Sequence, residues 1–142
     1  MADQFSVTLQ QIVDEFHLEI LHAPSDLSTI MITENDITRP GLQLMGFYEY
    51  FNPNRIQIIG KMEFAYLSTI DEKEREQHVR DLFSRRIACL CLTRGLPCFA
   101  EMLTLAKEYK VPVLRTAEST SHFTTSLLSF LNMNNYWLDF PK

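Results

Sequence analysis

The 142-residue chain predicts an α/β fold: a three-layer α/β/α arrangement around a mainly parallel sheet. Three observations predict it. From residue 55 onward, short apolar runs alternate with longer amphipathic segments in the order β–α–α–β–α–β–α, the pattern of a sheet covered by helices. Residues 87–93 are apolar almost throughout, as a strand buried on both faces reads. Residues 71–86 place Val79, Leu82 and Phe83 on one helical face. They also set Asp71 and Arg75, Glu76 and Arg80, and Asp81 and Arg85 four apart, acid before base.

The remaining elements follow from capping and period. Residues 6–17 read as a helix capped by Ser6 or Thr8, with Leu9, Ile12, Val13 and Phe16 on one face. Residues 18–21 alternate as a short strand, 22–26 are a turn by composition, and 28–33 are a second strand. Residues 34–41 form a polar loop. Pro40 then starts a helical turn through Met45, where its missing N–H costs nothing. Residues 47–51 are aromatic and fit either a helix end or a strand. After the Asn52-Pro53-Asn54 turn, residues 55–60 are a β-branched strand ended by Gly60. A helical segment spans 61–67, and Pro97 opens another that runs to Tyr109. Residues 111–114 are a short strand. Ser119 or Thr120 starts the last helix, which carries Leu127, Leu128 and Leu131 and ends near Asn132.

Composition bounds the function. Hydrophobic residues make up 46% and charged residues 22%, with 10 Phe and 5 Tyr, enough for a packed core. The formal charge of −5 argues against a nucleic-acid binder, which needs a basic surface. No apolar run reaches the roughly 20 residues of a membrane helix. The opening Met1-Ala2-Asp3-Gln4 shows no secretory signal, so a cytoplasmic location is expected.

Chemistry-bearing motifs are sparse. No G-x-G-x-x-G can be written from Gly41, Gly46, Gly60 and Gly95. Gly41 and Gly46 have the spacing of a phosphate loop, but Phe47 and Tyr48 stand where that loop needs Lys and Ser or Thr. Ser121-His122 lacks a nucleophile elbow, and neighbours on a helix point apart. His17, His22 and His78 show no metal-ligand spacing, so neither a catalytic nor a metal site is predicted. Cys89, Cys91 and Cys98 read as reduced, packed thiols rather than a disulfide or metal framework.

The run Arg39-Pro40-Gly41-Leu42-Gln43-Leu44-Met45-Gly46-Phe47-Tyr48-Glu49-Tyr50-Phe51, followed by Arg55-Ile56-Gln57-Ile58-Ile59-Gly60, resembles the amino-terminal domain of HPr kinase/phosphorylase. Asp36, Glu63 and Tyr66 complete that pattern, and Thr93-Arg94-Gly95-Leu96, Val111-Pro112-Val113-Leu114 and Thr120-Ser121 extend it over residues 6–132. The resemblance implies a domain over 1–133 that looks like the amino-terminal domain of Mur ligases. Residues 134–142 would be a tail or the start of a linker. It also implies a second, carboxy-terminal kinase domain carrying the phosphate loop. In the family, that domain uses ATP or pyrophosphate with Mg²⁺ to phosphorylate a serine of HPr. It also removes the phosphate by phosphorolysis, in carbon catabolite repression. A homohexamer is the family's usual assembly. This chain then stands as the non-catalytic regulatory or interaction domain, a fragment or a shortened relative, with HPr and its own kinase domain as partners. The alternative is a stand-alone sensor of a phosphorylated or nucleotide-sugar-like metabolite.

Several residues are candidates for binding. Arg39 and Gly41 could hold an anion at a helix start, or Arg39 could pair with Asp36 or another acid. Arg94, Gly95, Thr116, Thr120 and Ser121 should open onto the carboxyl edge of the sheet, where they either line a pocket or cap helices. Tyr48, Tyr50 and Phe51 fit an interface or the core equally. Arg80, Arg85, Arg86 and Arg94 make a basic stretch that either steers an acidic partner or coats a solvated helix.

Overall fold

The computed structural model describes residues 6–139, with side chains through Met133. The opening tetrapeptide and the last three residues of the tail lie outside the described residues. Strand β1 (Val7–Thr8) leads into helix α1 (Leu9–Phe16), because Thr8 and Gln11 close a capping box. Thr8 Oγ1 accepts from Gln11 N at 3.1 Å, and Gln11 Oε1 accepts from Thr8 N at 2.8 Å. Strand β2 (Glu19–His22), a 3-10 turn over Leu27–Thr29, and strands β3 (Met31–Ile32) and β4 (Ile37–Thr38) follow. Next come α2 (Gly41–Leu44), β5 (Ile56–Ile59), α3 (Lys61–Thr69), α4 (Glu72–Phe83), β6 (Cys89–Leu92), α5 (Ala100–Tyr109), β7 (Val113–Arg115) and α6 (Thr120–Asp139). From β5 onward the order is the one expected.

The five-stranded sheet runs β2-β7-β6-β5-β4, with β4 to β7 parallel and β2 antiparallel on the edge. Strand alternation sorts the side chains into two cores. Ile56, Ile58, Cys89, Cys91 and Leu114 meet α1 and α6, through Ile12, Phe123 and Leu127 among others. Ile59, Leu90, Leu92 and Val113 meet α3, α4 and α5, through Leu67, Phe83 and Leu105 among others. The result is the three-layer α/β/α sandwich with a mainly parallel sheet. Both strand cysteines point to the same core, as their spacing predicts, and all three cysteines are free. Burial pushes Cys89 up to about 12 and Cys98 up to about 11.

Five expectations need correction. Residues 47–51, expected as a helix end or a strand, are neither and turn at Glu49 and Tyr50, the latter left-handed at φ 64°. The strand expected over 28–33 shrinks to Met31–Ile32, because Asp26 caps the Leu27–Thr29 turn through Ser28 N at 2.9 Å. The loop expected over 34–41 contains β4, a two-residue strand recruited by Ile56 and Gln57. So short a strand has no period of its own to read. The helix expected from Pro97 starts at Ala100, since Phe99 is still extended (φ −62°, ψ 142°) and stands at the N-cap position. The last helix runs on to Asp139, because residues 120–139 contain no Gly or Pro to stop it.

The three predicted acid-to-base pairs of α4 also divide. Glu76 and Arg80 meet at 3.1 Å. Asp71 instead caps the helix through Glu74 N at 2.8 Å, and Arg75 crosses to Glu101 on α5. Arg85 lies 3.4 Å over the Tyr48 ring.

Candidate functional site at the carboxyl edge of the sheet

Four parallel strands end on one edge, so the residues that follow β4, β5, β6 and β7 gather there. Arg39 follows β4, Gly60 follows β5, Thr93 follows β6 and Thr116 follows β7. Glu63, in the first turn of α3, is 8% exposed and sits at their centre. Its Oε1 accepts from Gly60 N at 2.8 Å and from Arg39 Nη2 at 2.7 Å. A buried carboxylate that receives a backbone N–H and a guanidinium is compensated, and it ties the α3 start to the β4 exit.

Gly60 is what lets the parts approach. A Cβ there would lie 2.5 Å from Thr120 Oγ1 and 2.9 Å from Arg39 Nη2. Its φ of −111° suits any residue, so the requirement is space. Against the same face of Gly60, the buried hydroxyls of Thr93 and Thr120 share a hydrogen bond at 2.6 Å. Arg94 N and Gly95 N donate to Glu118 O and Thr116 O at 2.8 and 2.9 Å, strapping the β6 exit to the β7 exit.

The structure therefore unites residues that the sequence offered as two separate sites. Arg39 and Thr120 flank the same face of Gly60. Arg39 pairs with Glu63, while Asp36 meets Arg55 at 3.6 Å. Gly41 opens α2 close by, where a Cβ would come 3.9 Å from Glu63 Oε2. Thr116 is buried and accepts from Glu118 N at 3.2 Å. Ser119, not Thr120, caps α6, through His122 N at 3.2 Å. Arg94, Gly95 and Ser121 are exposed and stand outside the cluster. Gly60, Glu63 and Thr93 entered the sequence reading as parts of the family resemblance and not as candidate site residues. The signal for Glu63 was an acid three residues after Gly60, the spacing of a reciprocal helix-start bond.

The segment between Gly41 and Gly46 is a short helix closed on itself. The N–H groups of Leu44, Met45 and Gly46 are spent on Pro40 O, Leu42 O and Gln43 O at 2.9, 3.0 and 2.9 Å. Among the described residues, no group of three or more His, Cys, Asp or Glu could hold a metal ion. Among them too, no helix is long and apolar enough to cross a membrane.

Beside the cluster lies an apolar surface. Gly41, Leu44, Met45, Met62, Glu63 and Tyr66 line a cavity of about 180 Å³. Of its lining, Met45 and Met62 are 62% and 78% exposed, and Leu42 and Phe47, near in sequence to Met45, are 60% and 50% exposed. Of the aromatic candidates, Tyr48 and Phe51 pack edge to face at 5.4 Å against the core beneath, and Tyr50 is exposed.

The family model described as "HPr Serine kinase N terminus" matches residues 7–131. HPr kinase/phosphorylase of Caldicellulosiruptor bescii is 42% identical over 127 residues, 89% of this chain and 41% of that protein. The enzymes of the same name from Alkaliphilus metalliredigens and Clostridium perfringens are 35% and 36% identical over 126 residues, each again over 89% of this chain and 40% of the relative. The chain thus spans about two fifths of the length of these relatives. Among solved structures, the CBS and DRTGG domains of the regulatory region of Clostridium perfringens pyrophosphatase, complexed with diadenosine tetraphosphate, match with a TM-score of 0.59. The identity is 18%, covering 85% of this chain and 45% of that one, a likeness of fold. The Arg39, Gly60 and Glu63 of the sequence motif are the parts that close the carboxyl edge, and the chain belongs to the HPr serine kinase N-terminal family.

Proposed function

We propose that this chain is the non-catalytic interaction domain of a bifunctional HPr serine kinase/phosphorylase. The apolar surface formed by Leu42, Met45, Phe47 and Met62 carries this reading. Exposed apolar side chains beside an apolar hollow, as Met45 and Met62 are, fit a contact surface. Its occupant is the catalytic part of the same enzyme, since the relatives are more than twice as long as the segment they share with this chain. That part would hold ATP or pyrophosphate with Mg²⁺, phosphorylate a serine of HPr and remove it by phosphorolysis. The full enzyme would assemble as a homo-oligomer, a hexamer by resemblance, in the cytoplasm and in the service of carbon catabolite repression.

Two measurements test this. Purified chain, incubated with HPr, ATP and Mg²⁺, should transfer no phosphate; transfer overturns the non-catalytic reading. Lys61 is exposed and adjoins Met62, so a lysine-reactive cross-linker applied to the native protein in its source cells should join Lys61 to a kinase domain. Cross-links from other lysines with none from Lys61 overturn the docking surface.

A further inference from the structure

The opposite edge of the sheet holds a larger opening. Pro24, Ile30, Ile87, Ala88 and Pro112 form the apolar lining of a cavity of about 470 Å³, with Ser25, Tyr109, Arg86 and Lys110 as its polar part. A second hollow of about 250 Å³ shares Arg86, Tyr109 and Lys110, so the two form one groove. Ligand sites of roughly 300–1,000 Å³, mostly apolar with a few polar groups, are the usual size for a small molecule.

The cations of this groove are uncommitted. Among the described residues, neither Arg86 nor Lys110 has an ion pair or side-chain hydrogen bond, and both are exposed. The acid that lines the second hollow, Glu108, is already held by Arg80 at 2.9 Å. Arg80 also donates to the Tyr109 hydroxyl at 3.1 Å, which leaves that hydroxyl its own proton to give. Arg86 and Lys110 both sit at φ 59°, left-handed positions after α4 and α5 that favour glycine. Part of their role can be to face the negative helix ends. That role asks only for charge near a terminus, and it does not explain why both charges border one apolar groove.

We infer that the amino-edge groove binds a small phosphomonoester with a flat or apolar body, its phosphate between Arg86 and Lys110 and its body against Ile30 and Ile87. A guanidinium and an ammonium suit phosphate oxygens, and Tyr109 can donate a further hydrogen bond. The apolar floor has no use for a bare inorganic anion. This inference is independent of the docking role above, because it uses the other edge of the sheet.

Titration of the full chain with AMP, followed by amide NMR, tests it. AMP should shift Ser25, Ile87, Ala88 and Lys110, and adenosine at equal concentration should not. The Arg86→Gly/Lys110→Gly variant places glycine where the backbone favours it, so the fold is retained. Its affinity for AMP should fall on the order of tenfold for each charge removed. Absence of AMP shifts in the groove, equal binding of adenosine, or undiminished AMP binding by the double variant each overturns the inference.

Discussion

At the carboxyl edge, Arg39 is spent on Glu63, the hydroxyls of Thr93 and Thr120 on each other, and the backbone of Arg94 and Gly95 on the neighbouring loop. At the amino edge, Arg86 and Lys110 are unpaired among the described residues and border an open groove. Position on a parallel sheet would favour the first edge as the ligand site. Whether polar groups are already satisfied decides otherwise. A satisfied cluster supplies cohesion, while uncommitted charge on a concave surface supplies recognition.

Breaking the closed edge should produce the largest effect. Gly60→Val must displace Thr120 and Arg39, and should cost roughly 3 kcal/mol of unfolding free energy by urea titration. Loss of less than a third of that would show the cluster to be loose. Glu63→Ala strands the buried Gly60 N–H and frees Arg39, for about 2 kcal/mol in the same assay. At the open edge the sign should reverse. Arg86→Gly and Lys110→Gly relieve left-handed strain and should stabilise the chain by up to about 1 kcal/mol each. Destabilisation instead would make these cations part of the scaffold.

Two smaller effects sharpen the contrast with the core. Cys89 and Cys91, wholly buried and shifted up, should resist alkylation at neutral pH until the chain unfolds, while Cys98 reacts slowly. Desolvation, with Lys107 adding repulsion, lowers the pKa of His22 from 6.5. The folded state therefore binds its proton less readily than the unfolded chain. The corresponding stability is present above the unfolded value and is lost as pH falls through the lower folded one. The melting temperature of His22→Gln should gain on that of the unaltered chain as pH is lowered from 8 to 5, a range spanning the ordinary histidine pKa of about 6.5.

Long, periodic or uniformly apolar segments were legible. The β5–α6 half of the chain appears in the expected order, and Leu90 and Cys91 face opposite cores as alternation requires. Strand β4 was not legible, because two residues carry no period and Gln57 and Ile56 recruit them from outside. The carboxyl-edge cluster was half legible. Arg39 and Thr120 stood out as residue types, but 81 positions of chain separate them, and the void that joins them is the missing side chain of Gly60. Within the Arg39–Phe51 region, a candidate for domain contacts from sequence, the side chains that are exposed were not legible. Of the aromatic candidates, Tyr48 and Phe51 turn inward and only Tyr50 is exposed, whereas Leu42 and Met45 are exposed at a helix of four residues, too short to show a buried face by period.

The antiparallel edge strand has a consequence in time. Glu19 on β2 pairs with Arg115 on β7, 96 residues later, through two bonds of 2.9 Å. Every other strand of this sheet finds a partner among strands made just before or after it. During synthesis, the β2 segment must wait, unpaired, until nearly the whole domain has emerged. Closing so long a loop is slow relative to local pairing. The last step of assembly should therefore be the arrival of the chain's beginning at its end, and until then the outer edge of β7 stays open to any other extended polypeptide in reach.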